Sequence, residues 1–258
     1  MQACHKQEPR AALCLAALTC VALLLSSCAM LSLPKSLEGP GKRVAVISLV
    51  REDVKVTRTG ALTQEVVYLD MEGQIRRTIE GVFASQVAAT HPSWVIEPLN
   101  YDRELRLSQR SGAEKARFFT LTGYEDRFKA EVTDLIRTKN LDAAVLVIET
   151  AHEDLTRTFP GVGVVLVGVP GVSTSASIVS QADVHCTLVV FVVDSQGSVV
   201  TIGDRSGMQG AKTFDRNRGS FSYSVAENLK PPFADRLRAG VRQCLADNLK
   251  RQFDRMGI

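Results

Sequence analysis

Apolar residues recur along this chain at two spacings, and the changes between them mark out its elements. Val44, Ala45, Val46, Ile47, Leu49 and Val50 form a nearly unbroken apolar run within 42–50, the pattern of a strand buried on both faces. Residues 53–58 alternate through Val54 and Val56, and 65–70 hold Val66, Val67, Tyr68 and Leu69, so a short meander of strands follows. The spacing then changes. Ile75, Ile79, Val82, Phe83 and Val87 recur at helical intervals with Arg76, Arg77 and Glu80 off the stripe, which predicts an amphipathic helix over 74–89. His91 and Pro92 end it. Residues 94–99 read as a short strand. A second helix is predicted over 124–139 from Phe128, Val132, Leu135 and Ile136, with Asn140 at its end. A buried strand over 143–148 follows. A strongly β stretch over 183–193 pairs back through the turn at 194–197 with 198–202, and a last helix covers 233–256 on the stripe Leu237, Val241, Cys244, Leu245, Leu249 and Phe253.

This alternation of strands and helices predicts one α/β domain over 42–258, a mixed β-sheet packed with about three amphipathic helices. Residues 28–41 contain Pro34, Gly39, Pro40 and Gly41 and form a flexible tether. Residues 204–231 are polar and predicted to be a long surface loop. Residues 100–124 fit no single element.

The 45% hydrophobic content is that of a globular chain, and aromatics are only 6%, so the core rests on Val, Leu, Ile and Ala. The formal charge of +3 is too small a surplus to indicate a nucleic acid partner.

The amino-terminal segment carries the strongest signal. Lys6 and Arg10 make a cationic start, 11–25 carry no charge, and Leu25, Ser26 and Ser27 precede Cys28. The apolar run is short for the ~20 residues of a spanning helix and suits an export signal. The order of charge, apolar run and Leu25-Ser26-Ser27-Cys28 resembles the bacterial lipoprotein family and its lipobox. That resemblance implies removal of 1–27 and a diacylglyceryl group on the Cys28 sulfur, which holds the protein on a membrane. Ala29 after Cys28 implies, by the family's sorting rule in enteric bacteria, an outer-membrane protein facing the periplasm. An uncut anchor helix and a secretory cut without lipid are the competing readings. At the level of element order alone, 42–256 is similar to the α/β domains of envelope lipoproteins such as the curli secretion channel, the activators of penicillin-binding proteins and the amino-terminal domain of the Tol-Pal translocation protein. No motif carries this second likeness, so no functional residue transfers from it.

Of six cysteines, Cys4, Cys14 and Cys20 fall in the signal, and Cys28 is the lipidation site. Cys186 and Cys244 remain, each on an apolar face, and two readings stand for them: a disulfide, in a compartment that permits one, or two buried thiols. No Cys-x-x-Cys or histidine cluster points to a metal, and no cofactor is expected. His152, Glu153 and Asp154 are contiguous, but neighbours in sequence point in different directions, so a solvated loop is expected. His185 is expected on the sheet face opposite Cys186. The carboxylates Glu125, Asp126, Glu131 and Asp134 read as the solvated side of a helix, and the charges between Arg103 and Arg117 as a solvated face.

The glycine-rich run 161–168 lacks the Gly-x-Gly-x-x-Gly fingerprint, having Leu166 at the third glycine's place. The uncharged stretch 159–172 is expected to be a buried or interface-packed loop; a membrane-inserting hairpin over 159–193 is the other reading. With no nucleophile elbow and no zinc-protease motif, the chain is expected to be a non-catalytic, lipid-anchored interaction or scaffold protein of the bacterial cell envelope. Its expected partners are the membrane, through the anchor, and an envelope protein or further copies of itself. A subunit of an envelope channel or export complex is the first alternative, and an enzyme acting on envelope polymers the second.

Overall fold

The computed structural model describes residues 33, 35–59, 64–100, 124–149, 151–153, 158–168, 179–202, 212–214 and 229–258. Leu25, Ser26, Ser27 and Cys28 lie outside the described residues, as do the signal segment, residues 29–32 and 34 of the tether, and the charged stretch from Arg103 to Arg117. The tether is not irregular throughout, since Lys35–Leu37 form a 3-10 turn whose Leu37 is buried.

The apolar runs become central strands. Strand β1 (Arg43–Ser48) pairs in parallel with β5 (Ala143–Glu149), and β5 pairs antiparallel with β10 (Leu188–Asp194). With β4 (Val95–Ile96) and β11 (Val199–Ile202) on the two edges they form a five-stranded sheet in the order β11-β10-β5-β1-β4. Both faces are covered, which is why β1, β5 and β10 are apolar through their middles, with polar residues only at their ends. On one face Val44, Val46, Val145, Val147, Val190 and Val192 share a core with helices α1 (Gln74–Thr90) and α3 (Phe233–Met256). On the other, Ala45, Ile47, Leu146, Ile148, Phe191 and Val193 pack with Val132, Leu135 and Ile136 of helix α2 (Tyr124–Thr138).

A second five-stranded sheet runs β12 (Lys212–Phe214), β9 (Val179–Cys186), β8 (Val162–Gly168), β2 (Asp53–Thr59), β3 (Gln64–Asp70). Its inward residues Val54, Val56, Val162, Val164, Leu166, Ala182, Val184 and Cys186 belong to the core that α1 and α3 complete. The two helices meet through Phe83 and Phe253, edge to face at 5.8 Å.

The α/β class and the three helices agree with the sequence. The single mixed sheet is corrected to two, with a separate two-stranded pair formed by β6 (Ala151–Glu153) and β7 (Thr158–Pro160). The physical reason is a shared bend. Neighbouring strands of one sheet are followed along the chain by neighbouring strands of the other in matching order: β1 by β2, β5 by β8 with the β6–β7 pair between them, while β9 leads into β10. Pairing senses match across the bend, since β1 and β5 are parallel and so are β2 and β8. The stretch 183–193, uniformly β in sequence, therefore divides at Thr187 between two sheets.

Smaller departures follow from the same geometry. The expected strand at 94–99 shortens to Val95–Ile96 on an edge. In place of the expected loop at 159–172, the described residues form β7 and β8, and 169–172 lie outside the described residues. Ala151–Glu153 pair with Thr158–Pro160, so His152 and Glu153 lie on a strand, not in a loop, while Asp154 is outside the described residues. Lys212–Phe214 form a strand inside the expected loop at 204–231.

The ends of α1 are tied to the seam and to α3. The carboxylate of Glu52, in the β1–β2 link, accepts from the backbone amides of Ile75 (3.1 Å) and Arg76 (2.9 Å). It thereby satisfies two of the orphan donors of the helix's first turn with an anion placed where the helix dipole favours one. At the other end His91 stacks on Trp94, with ring centroids 4.0 Å apart, and its Nε2 donates to the Gly257 carbonyl at 2.7 Å.

Candidate functional site

Chemistry-bearing side chains concentrate where the chain crosses between the sheets. Helix α3 runs along β9 and into β10, and two repeats match. Four residues of helix rise about 6 Å, and two residues of strand rise about 6.7 Å. Cys244, Asn248 and Gln252, one turn apart, thus meet carbonyls at every second strand residue. The Cys244 thiol points to the Val184 carbonyl (3.9 Å), Asn248 Nδ2 donates to Cys186 O (3.3 Å), and Gln252 Nε2 donates to Leu188 O (3.4 Å) and to Asn248 Oδ1 (2.6 Å). Cys186 and Leu188 flank Thr187, so the three side chains span the bend. Backbone groups at a bend lose regular ladder partners and need others when buried; a polar row on α3 supplies them.

The same seam holds a charge pair. Arg51, in the β1–β2 link, donates from Nε to Glu149 Oε2 at 2.9 Å and from its backbone amide to Glu149 Oε1 at 3.3 Å. Glu149 is the last residue of β5, and its side chain is only 7% exposed against 34% for Arg51. Gly161 lies against this carboxylate. It has φ +60°, and a Cβ there would stand 2.7 Å from Glu149 Cδ. Glycine is required twice over, by backbone sign and by space. Its carbonyl accepts from the Thr187 amide (2.8 Å), which closes the seam on the β9–β10 side.

His185 and Cys186 point to opposite faces, as the alternation of a strand predicts. The His185 ring lies over Gly163, where a Cβ would collide with its Cε1. Cys186 faces the core, 3% exposed, and meets Cys244, 0% exposed. Both are free thiols in one core cluster. The Cys186 thiol is pushed well above the ordinary value, first by the Cys244 side chain, then by burial, and further by negative charge at Cys244 and Glu149. Such a thiol keeps its proton near neutrality and is a poor nucleophile.

The residues singled out from sequence fare unequally. Cys186 and Cys244, far apart in the chain, are brought together. Glu131 and Asp134 lie on α2, half-buried and exposed respectively, whereas the side chains of Glu125 and Asp126 lie outside the described residues. Glu149, Arg51, Asn248 and Gln252 were missed. The last two had a signal: positions 248 and 252 continue the buried stripe from Cys244 at helical spacing, so polar residues there imply buried acceptors. Among the described residues no three His, Cys, Asp or Glu side chains are placed to hold a metal ion, and no helix is long and apolar enough to cross a membrane.

The surface adds one feature. The exposed large apolar side chains among the described residues are Val66, Tyr68 and Val95. Val66 and Tyr68 sit two apart on β3, an edge of the second sheet, on the face turned away from the core.

A comparison with protein-family models finds no match, and a comparison with curated proteins finds none.

Proposed function

We propose that this chain is a lipid-anchored protein of the bacterial cell envelope that works by docking a partner protein rather than by catalysis. The anchoring half of the reading rests on the order of features in 1–28, ending in Leu25-Ser26-Ser27-Cys28. Several acyl chains, each buried CH₂ contributing about 0.8 kcal/mol, hold far more firmly than one.

The docking half rests on a single observation. The first sheet is covered by helices on both faces, yet β3 of the second sheet presents Tyr68 at 58% and Val66 at 39% exposure on its outward face. An edge strand also offers a row of backbone donors and acceptors. Together these suit an extended, partly apolar segment of an envelope protein that adds to the edge, with main-chain bonds for affinity and side chains for selection. At the seam, by contrast, Asn248, Gln252 and Glu149 bond to groups of the chain's own interior.

Two measurements separate the halves. Cys28→Ser is expected to leave an unprocessed precursor, with no lipid-modified amino-terminal cysteine by mass spectrometry; normal processing and retention would remove the anchor. A photo-crosslinking side chain at position 68, in living cells, is expected to give one discrete adduct with a different envelope protein. Adducts only between copies would make the surface a self-association site, and no adduct at all would remove the docking surface.

A further inference from the structure

We propose that Cys186 and Cys244 form a cross-linking site: on oxidation they close a disulfide that staples helix α3 to the bend between the two sheets. The two side chains enter one core from facing elements. They approach from β9 and from α3, elements that pack directly on one another, and Asn248 one turn further along holds the Cys186 carbonyl at 3.3 Å. A disulfide needs the two Cβ atoms about 3.5–4.5 Å apart, and the Cys244 sulfur stands 3.9 Å from the Val184 carbonyl, two residues from Cys186 on the same inward face of β9. The Cys186 thiol interacts first with Cys244, and no metal-binding group forms around the pair among the described residues.

Closure is a two-electron oxidation, and its oxidant is a disulfide, either of a small thiol or of a thiol–disulfide oxidoreductase. One cysteine thiolate attacks that disulfide, forms a mixed disulfide and releases the first leaving thiolate. The second cysteine thiolate attacks the mixed disulfide at the protein sulfur, forms the Cys186–Cys244 bond and releases the second. The two protons lost by the cysteines end on the two leaving thiols. Because both thiols are dry in the folded protein, 3% and 0% exposed, exchange runs on the folding chain and not on the closed native state. An exported chain folds where such oxidants act, but the site itself does not depend on the anchor.

The test uses the full chain with Cys4, Cys14, Cys20 and Cys28 each changed to Ser, so that only this pair remains. The chain is unfolded and refolded either with a reductant or with mixed reduced and oxidised glutathione. The expected result is a monomer that has lost both alkylatable thiols in the glutathione mixture and regains them on reduction. Its urea midpoint should stand well above that of the reduced form, and adding Cys244→Ala should abolish the difference. The proposal is overturned if protein with a native circular dichroism spectrum keeps two alkylatable thiols, if bridges form only between chains, or if the closed form unfolds at lower urea than the reduced one. Peptide mapping of the unsubstituted chain after the same refolding gives a second readout: a linked Cys186–Cys244 peptide supports the site, and its absence counts against it. Since Cys28 is replaced, failure here leaves the anchoring experiment untouched.

Discussion

Replacing Asn248 by Leu tests whether the polar row on α3 holds the bend. The side chain is buried, and its hydrogen bonds include one to the Cys186 carbonyl at 3.3 Å and one from Gln252 at 2.6 Å. Each such bond contributes about 1 kcal/mol net, and a carbonyl left dry and unpaired costs about 1–3 kcal/mol. The larger apolar side chain offsets about 1 kcal/mol of this through burial. Asn248→Leu is therefore expected to destabilise the fold by about 2 kcal/mol. With a urea m-value of about 2 kcal/mol/M, the unfolding midpoint falls by about 1 M. Gln252→Leu removes the bond to Leu188 O and the same Asn248 bond, so its cost is similar. The double variant loses the shared bond only once, and its cost should be about 1 kcal/mol smaller than the two single costs added together. Equilibrium urea unfolding under reducing conditions, followed by circular dichroism, measures all three. The reasoning fails if each single variant moves the midpoint by less than about 0.3 M, or if the effects add without coupling.

Gly161→Ala should be more damaging than an ordinary surface change, by about 2–3 kcal/mol, because it forces a Cβ into a left-handed backbone and against Glu149; thermal unfolding reads it, and a change under about 0.5 kcal/mol refutes the glycine requirement. The raised Cys186 thiol makes stability depend on pH in the alkaline range. Its contribution is fully present below the unfolded thiol value of about 8.5 and is lost as pH rises from there toward the folded value, at up to 1.4 kcal/mol per pH unit. Urea midpoints between about pH 7 and 10, with reductant, should fall more steeply for the unsubstituted chain than for Cys186→Ala; equal slopes would sink the assignment.

Elements with a long, one-sided pattern were legible from the chain alone. The helix at 74–89 shows its stripe in Ile75, Ile79, Phe83 and Val87, all of which are buried. The runs at Val44–Val46 and Ala144–Leu146 read as doubly covered strands and are so. What escaped depends on tertiary geometry that no local window contains. An unbroken apolar stretch looks the same whether it stays in one sheet or bends into another, so the division at Thr187 left no trace in 183–193. Edge strands such as Val95–Ile96 and Lys212–Phe214 are short, and their pairing is decided by the neighbour they meet. The cysteine pair was visible as two apolar-face residues, but their meeting needed α3 to lie along β9. Glu149 and Arg51 gave no signal, because a charged residue closing a strand is usually solvated, and only the crossing of three segments makes this one dry.

The last helix has a consequence for a chain that emerges amino end first, from a ribosome or through a pore. Leu237, Val241, Leu245, Leu249 and Phe253 share one core with Val44 and Val46 of the first strand. Until the final 24-residue helix arrives, the earliest strands lack the layer that keeps water from one of their faces. Vectorial delivery thus leaves that face of the first strands bare until residues 233–256 follow, and only then does this core close.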